Sequence, residues 1–179
     1  MIFSKDKFKT LVHYICWRCE DPDKLGAIKL NKVLWFADTI AFCKTGKPIT
    51  GVQYVKQKFG PVPKPILPIL RELATERKLL IQDIPFYGKT KRHYISLRDP
   101  DFSTFTAEQL EIIDDVLKTI VFEHSAESIS DLTHDRVWKL AEVGETIPHF
   151  AALACQLGKI NEDDIAWAKT RLDAYNAAA

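Results

Sequence analysis

The sequence predicts an α+β fold: a mainly helical single domain with one small antiparallel β-hairpin. Three observations lead there. Apolar residues recur at helical spacing over several separated stretches, the period shifts to that of paired strands over residues 79–98, and Gly and Pro clusters punctuate the boundaries. A chain of 179 residues, 46% apolar and 27% charged, is long enough for one substantial core.

The elements follow in order. Ser4 is a natural N-cap for a helix over residues 4–20 in which Phe8, Leu11, Val12, Ile15 and Cys16 share a face. Glu20-Asp21-Pro22-Asp23 breaks it. From Gly26, the residues Ile28, Leu30, Val33, Leu34, Phe36, Ala37, Ile40 and Ala41 describe a helix apolar around much of its circumference, hence central and buried. Thr45-Gly46-Lys47-Pro48 ends it, with Gly as the C-terminal cap. Residues 49–58 allow either a strand or a helical turn, and Phe59-Gly60-Pro61-Val62-Pro63 reads as a rigid turn because each Pro fixes its own φ and restricts the residue before it. A helix over 64–78 follows, with Pro65 and Pro68 near its start.

Residues 79–98 predict the β-hairpin, turning at Tyr87-Gly88-Lys89. Thr106-Ala107-Glu108-Gln109 has capping-box spacing and opens a helix carrying Leu110, Ile113, Val116, Leu117, Ile120 and Val121. A short helix is expected over Ser125–Ser130, a turn capped by Thr133 after it, an interruption at Pro148, and a final helix from Asn161 to about Tyr175. Three helices followed by a two-stranded hairpin is also the order of a winged-helix module.

Net charge is only +1, but residues 44–98 carry +9 and residues 99–179 carry −10. This asymmetry leaves three readings open: the two parts pack together, the basic part meets an anionic partner, or the acidic part meets a basic one. No apolar run approaches the ~20 residues of a membrane span. The start lacks the pattern of a secretory leader, and four cysteines without a framework fit a reducing compartment, so a cytoplasmic protein is expected.

Residues capable of chemistry are few. His13, Cys16 and Cys19 lie at spacings of three, and Cys43, Cys155, His124, His134 or His149 could complete a tetrahedral zinc set; core packing of buried thiols explains the same residues. No nucleophile-elbow, metalloprotease or phosphate-loop motif occurs, and His134-Asp135 are neighbours that do not face one another on a helix. No catalytic residue, metal or cofactor is therefore assigned. Lys89, Lys91 and Arg92 make the hairpin basic, and Lys64 and Arg71 add charge from the preceding helix. Phosphate contact by a wing would use them, and protection of an exposed sheet edge would do so equally.

Three separated segments carry a resemblance. They are Leu30-Asn31-Lys32-Val33-Leu34-Trp35-Phe36-Ala37-Asp38, then Thr45-Gly46-Lys47-Pro48-Ile49-Thr50-Gly51, then Tyr54-Val55 with Lys58-Phe59-Gly60-Pro61-Val62-Pro63. With Leu132-Thr133-His134-Asp135 and Trp138-Lys139 downstream, they resemble the signatures of the SocA-like Panacea domain antitoxin family. The departures are Asn31, Phe59 where His or Tyr is usual, and a tail after about residue 150 that does not align.

The resemblance implies a single Panacea-type domain over residues 1–179, with its signature region at about 8–140 and a C-terminal helical extension at about 150–176. It implies an antitoxin of a type II system, of bacterial or prophage origin, that neutralises a cognate protein toxin by direct stoichiometric contact. Family members act on unrelated toxins, alarmone-synthetase-like enzymes among them, so the scaffold is shared and the recognition surface varies. A homo-oligomer or a heterotetramer with the toxin is compatible with that role. On aromatic content and pre-ordered backbone, the expected contact residues are Trp35, Tyr54, Lys58, Phe59, Gly60, Pro61, Val62, Pro63, Tyr87 and Trp138, with core packing the competing role of Trp35 and Trp138. The acidic C-terminal third is suited to a toxin's basic site. The alternatives are a winged-helix-like DNA-binding autoregulator using Lys64, Arg71, Lys89, Lys91 and Arg92, or an adaptor that presents the toxin to a protease.

Overall fold

A computed structural model describes residues 3–134 and 136–150. The final helix expected from Asn161, together with Cys155, lies outside them. About half of the described residues are helical and the remaining regular structure is two small antiparallel sheets, so the fold is α+β.

Helix α1 (Lys5–Arg18) starts where Ser4 caps it, the Ser4 hydroxyl accepting the Lys7 N–H, and buries Phe8, Leu11, Val12 and Ile15. Helix α2 (Pro22–Thr45) begins one turn earlier than the sequence predicts. Asp21 accepts the Asp23 N–H at 3.0 Å, Pro22 occupies the first helical position, and Gly26 then breaks the path with φ 62° and ψ 169°. Beyond this break Leu30, Val33, Leu34, Ala37 and Ala41 are fully or almost fully buried, and α2 forms the centre of the molecule as expected of a helix apolar on most sides. Gly46 ends it in the left-handed conformation (φ 73°), its N–H bonding the Phe42 carbonyl.

The next segment corrects the sequence reading. Gly60-Pro61-Val62-Pro63 is not a turn but a strand, β2 (Gly60–Pro63), paired antiparallel with β1 (Tyr54–Gln57) around a two-residue turn at Lys58-Phe59. The register places Lys56 opposite Pro61 and Tyr54 opposite Pro63. In a two-residue hairpin the flanking pair, here Gln57 with Gly60, exchanges hydrogen bonds, so the backbone groups at the alternate positions 61 and 63 point away from β1. Both prolines therefore lack an N–H only where β2 forms the sheet's edge, which is where Pro is tolerated.

Helix α3 (Ile66–Thr75) follows Pro65, and the second hairpin, β3 (Leu79–Phe86) with β4 (Lys89–Ser96), turns at Tyr87 (φ 45°) and Gly88 (φ 72°). Two positive φ values match the primed turn that suits strand twist. Helix α4 (Ala107–Glu123) carries the predicted capping box between Thr106 and Gln109, and Ser125 caps α5 (Ala126–Leu132) in the same way. Thr133 does not open the next turn. It closes α5, its hydroxyl bonding the Ser130 carbonyl at 2.8 Å. Helix α6 (Arg136–Leu140) leads to β5 (Thr146–Ile147), a strand of two residues that completes the order β2-β1-β5. Side chains of α1, α2, α3 and α4 share one core with Ile49, Tyr54 and Leu79, each large aliphatic contributing about 2 kcal/mol of burial.

Candidate functional site

The segments that carry the family resemblance converge on one side of α2. Lys32, Trp35 and Asp38 repeat every three residues and so lie along one helix face. The first hairpin, the α5–α6 junction and the segment after β5 cover that face.

At its inner end Asp38 is fully buried and accepts three hydrogen bonds: from the Thr50 N–H (2.8 Å), the Thr50 hydroxyl (2.7 Å) and the Tyr54 hydroxyl (2.9 Å). Burial pushes its carboxyl pKa up, against the pull of those donors and of His149. The Tyr54 phenol is raised by its own burial and by the carboxylate it faces. His149 stacks on Trp35 at 5.5 Å between centroids, meets Tyr54 edge-on at 5.4 Å, and places Nδ1 3.3 Å from the Thr39 hydroxyl. Burial lowers its pKa and Asp38 opposes that shift.

One helical turn and a half earlier, Lys32 is 1% exposed and its ammonium donates to the Phe59 carbonyl. Desolvation brings its pKa down to about 8. Gly60 passes directly over this ammonium with φ 107°, and a Cβ there would overlap both Lys32 Nζ and Thr133 Oγ1. Here a glycine is required twice, by conformation and by close approach. Beside it, Lys56 sits over the Trp138 ring at 4.1 Å and donates to the Ala141 carbonyl at 2.9 Å, while the His134 ring stacks on Trp138 at 3.8 Å. His134 is shifted downward by burial first, then by Lys32.

The structure divides the expected contact residues. Trp35, Tyr54, Gly60, Pro61 and Pro63 are buried, Val62 and Trp138 are half-buried, and Lys58, Phe59 and Tyr87 are exposed. Phe59 is 51% exposed at the tip of the first hairpin, and Tyr87 is 92% exposed at the tip of the second, edge-on to Phe86 at 4.8 Å. The buried members build the scaffold that presents Phe59.

Sequence reasoning singled out none of Lys32, Asp38, Thr50 and Thr133 as functional. The available signal was an ammonium and a carboxylate set among apolar positions of a helix otherwise buried all round, which requires each to have an internal partner.

The remaining candidates are placed as follows. His13 Nε2 is 3.1 Å from the Ser96 hydroxyl, Cys16 and Cys19 are buried with thiols raised chiefly by desolvation, Cys43 is exposed, and His124 lies 3.3 Å from Ser128 Oγ. Among the described residues no three His, Cys, Asp or Glu are placed to hold a metal ion. On the second hairpin Arg92 forms a bidentate pair with Asp83 (2.7 and 2.9 Å), and Lys91 donates to the Asp23 carbonyl. Lys64 lies 3.3 Å from the Gln53 amide oxygen, and Arg71 and Lys89 are exposed. No described helix is long and apolar enough to cross a membrane.

In this arrangement buried polar anchors hold one exposed hairpin tip, and the chain's own groups partner both the Lys32 ammonium and the Asp38 carboxyl. The model of the family described as antitoxin SocA-like, Panacea domain, matches residues 30–139, more than half of the chain. The chain belongs to that family. Searches of the curated proteins and of the solved structures return no match.

Proposed function

We propose that this chain is the antitoxin of a type II toxin–antitoxin pair and that it neutralises its cognate toxin by stoichiometric binding, with no chemistry of its own. The observation that carries this reading is the clamp on the first hairpin. The buried Lys32 ammonium holds the Phe59 carbonyl, Gly60 closes over it, and the exposed Phe59 ring with its neighbour Lys58 is thereby presented on fixed backbone. An aromatic anchor ordered before binding loses little conformational entropy on docking.

A second surface supports the same reading. Glu108, Glu111 and Asp115 are exposed on one face of α4, an acidic stripe suited to the basic site of a toxin that handles an anionic substrate. The pairing of Arg92 with the Asp83 carboxylate removes part of the charge that a DNA-binding wing would offer, and Lys91 is held at the Asp23 carbonyl.

The test is co-expression with the adjacent reading frame. Growth arrest by the neighbour alone, rescue by this chain, and a purified complex of fixed stoichiometry are expected. Absence of rescue with any neighbouring product overturns the proposal.

A further inference from the structure

Phe59 is bracketed by two ammoniums. Lys32 holds its carbonyl from the interior, and the exposed Lys58 sets its own ammonium 5.4 Å from the centre of the ring. Two more stand alongside: Lys56 lies over Trp138, and Lys139 follows Trp138 in α6 and is exposed. The His134 ring, stacked on the same Trp138, feels Lys32, Lys139 and Lys56 together, with Asp131 opposing them.

No described carboxylate neutralises this cluster. Among the described residues none of the four ammoniums forms an ion pair. The partners of Lys32, Lys56 and Lys58 are carbonyls and aromatic rings, all of them neutral. From Lys44 to Arg71 the chain carries six basic residues and no Asp or Glu, so the hairpin has no acid of its own to offer. Elsewhere the molecule behaves differently: Arg92 of the second hairpin meets Asp83, and Lys5 and Lys9 of α1 meet Glu72. A buried ammonium held only by neutral groups is costly, and here that cost falls directly beneath the exposed aromatic tip.

We propose, on the reading of Phe59 as a toxin contact, that the toxin group docking beside it is a carboxylate. An Asp or Glu side chain of the toxin pairs with Lys58 and supplies the negative charge that Lys32, Lys56 and Lys139 also lack. A lysine or arginine at that point of the toxin would be repelled, so the cluster selects among partners as well as attracting one. A phosphodiester backbone fits less well. Of the four cations only Lys58 and Lys139 are fully exposed, and they flank an aromatic ring, which is the anatomy of a protein interface with a charged rim. Polyanion binding spreads over many phosphate contacts.

Protons report the contact. Burial brings the Lys32 pKa down to about 8 in the free chain. The charged and titratable groups on the elements packed around it are Lys56 and Lys58 of the hairpin and Asp131, His134 and Lys139 of the α5–α6 side; Asp135 lies outside the described residues. A carboxylate arriving there favours the charged ammonium, so complex formation near pH 8 takes up protons. Apolar cover alone would deepen the desolvation and release them.

The test uses the full chain with the toxin encoded by the adjacent reading frame. Lys58→Glu is expected to weaken the complex by about 10-fold or more beyond Lys58→Ala at low salt, with the excess shrinking at high salt. Lys89→Glu, at the tip of the second hairpin, is expected to stay within about 2-fold of wild type. Lys58 and Lys89 are exposed, and an unchanged unfolding midpoint confirms that these variants keep the fold. Calorimetry near pH 8 in two buffers of different ionisation enthalpy is expected to show proton uptake that Lys32→Met abolishes. Tolerance of Lys58→Glu overturns the proposal, as does proton release, or uptake that Lys32→Met leaves unchanged. Retention of a short random-sequence DNA duplex by the free chain, lost in Lys58→Glu, assigns the cluster to phosphate and likewise overturns it. A complex that forms without these charge effects removes the carboxylate and leaves toxin binding standing, whereas the absence of a complex with any neighbouring product removes both.

Discussion

The Tyr54 hydroxyl donates to the Asp38 carboxylate at 2.9 Å in an interior that exposes neither residue appreciably. The same carboxylate takes both donors of Thr50, and so ties the loop before β1 and the strand itself to the middle of α2. Tyr54→Phe removes one of three donors and is expected to cost about 1–2 kcal/mol in urea unfolding. Asp38→Ala strands three buried donors at once, and about 3–5 kcal/mol is expected. The double variant should cost less than the sum of the two, because both act on one network. Strict additivity would show that the tie is energetically idle.

Gly60 and Gly46 give a matched comparison. Both have positive φ, at 107° and 73°, but a Cβ at position 46 meets nothing within 4 Å, whereas one at 60 overlaps Lys32 Nζ and Thr133 Oγ1. Gly46→Ala is expected to cost about 1 kcal/mol from backbone conformation alone. Gly60→Ala should cost about 3 kcal/mol or more, since the buried ammonium must also be displaced from the Phe59 carbonyl. Equal thermal shifts for the two variants would contradict the close packing described.

Much of the fold is legible in the sequence because the signals are local. Ser4, Thr106 with Gln109, and Gly46 each act within a few residues, and the Tyr87-Gly88 turn fixes the register of its own hairpin. Strand β2 is not legible, because two prolines in four residues argue against a strand unless the chain is known to run along an edge, and that depends on β5 lying on the opposite side of β1. β5 itself is too short for any periodicity. The site was half visible. The motif positions were identifiable, but the pairs that define their roles, Trp35 with His149 and Lys56 with Trp138, join residues more than eighty positions apart. Sequence reading named Trp35 and Tyr54 as contact candidates, with core packing the competing role of Trp35, and the fold buries both. Phe59 is a contact candidate that the fold leaves exposed.

Lys32 makes stability depend on pH in an unusual direction. Its pKa is about 8 in the folded protein against 10.5 when unfolded, because burial disfavours the charged form. Between these values the unfolded state binds the extra proton, so stability increases as pH rises from about 8 toward 10.5; below about pH 8 the penalty is present in full, on the order of 3 kcal/mol. The difference in unfolding free energy between wild type and Lys32→Met isolates this group from other titrations. It is expected to shift in favour of wild type across that window and to be flat between pH 6 and 7. A flat difference throughout would mean that the ammonium is better solvated than its position implies.

Phe59 and Tyr87 are both exposed aromatics at hairpin tips, yet only the first has its backbone fixed by a buried side chain. If contact with the toxin draws on pre-ordered anchors, Phe59→Ala should weaken the complex by about 2–4 kcal/mol, a loss of roughly 30-fold to 1,000-fold in affinity. Tyr87→Ala, at a tip with no comparable clamp, should cost less. Both side chains project into solvent, so neither change should move the unfolding midpoint by more than about 0.5 kcal/mol equivalent, which separates loss of contact from loss of fold. Titration of the purified toxin with each variant, read as residual toxin activity against antitoxin concentration, measures the effect. Phe59→His should retain the fold while changing affinity for the cognate toxin, since the resemblance places His or Tyr at this position and recognition varies between members on a shared scaffold. Full neutralisation by Phe59→Ala at wild-type concentrations would move the contact surface away from the first hairpin and toward the acidic face of α4.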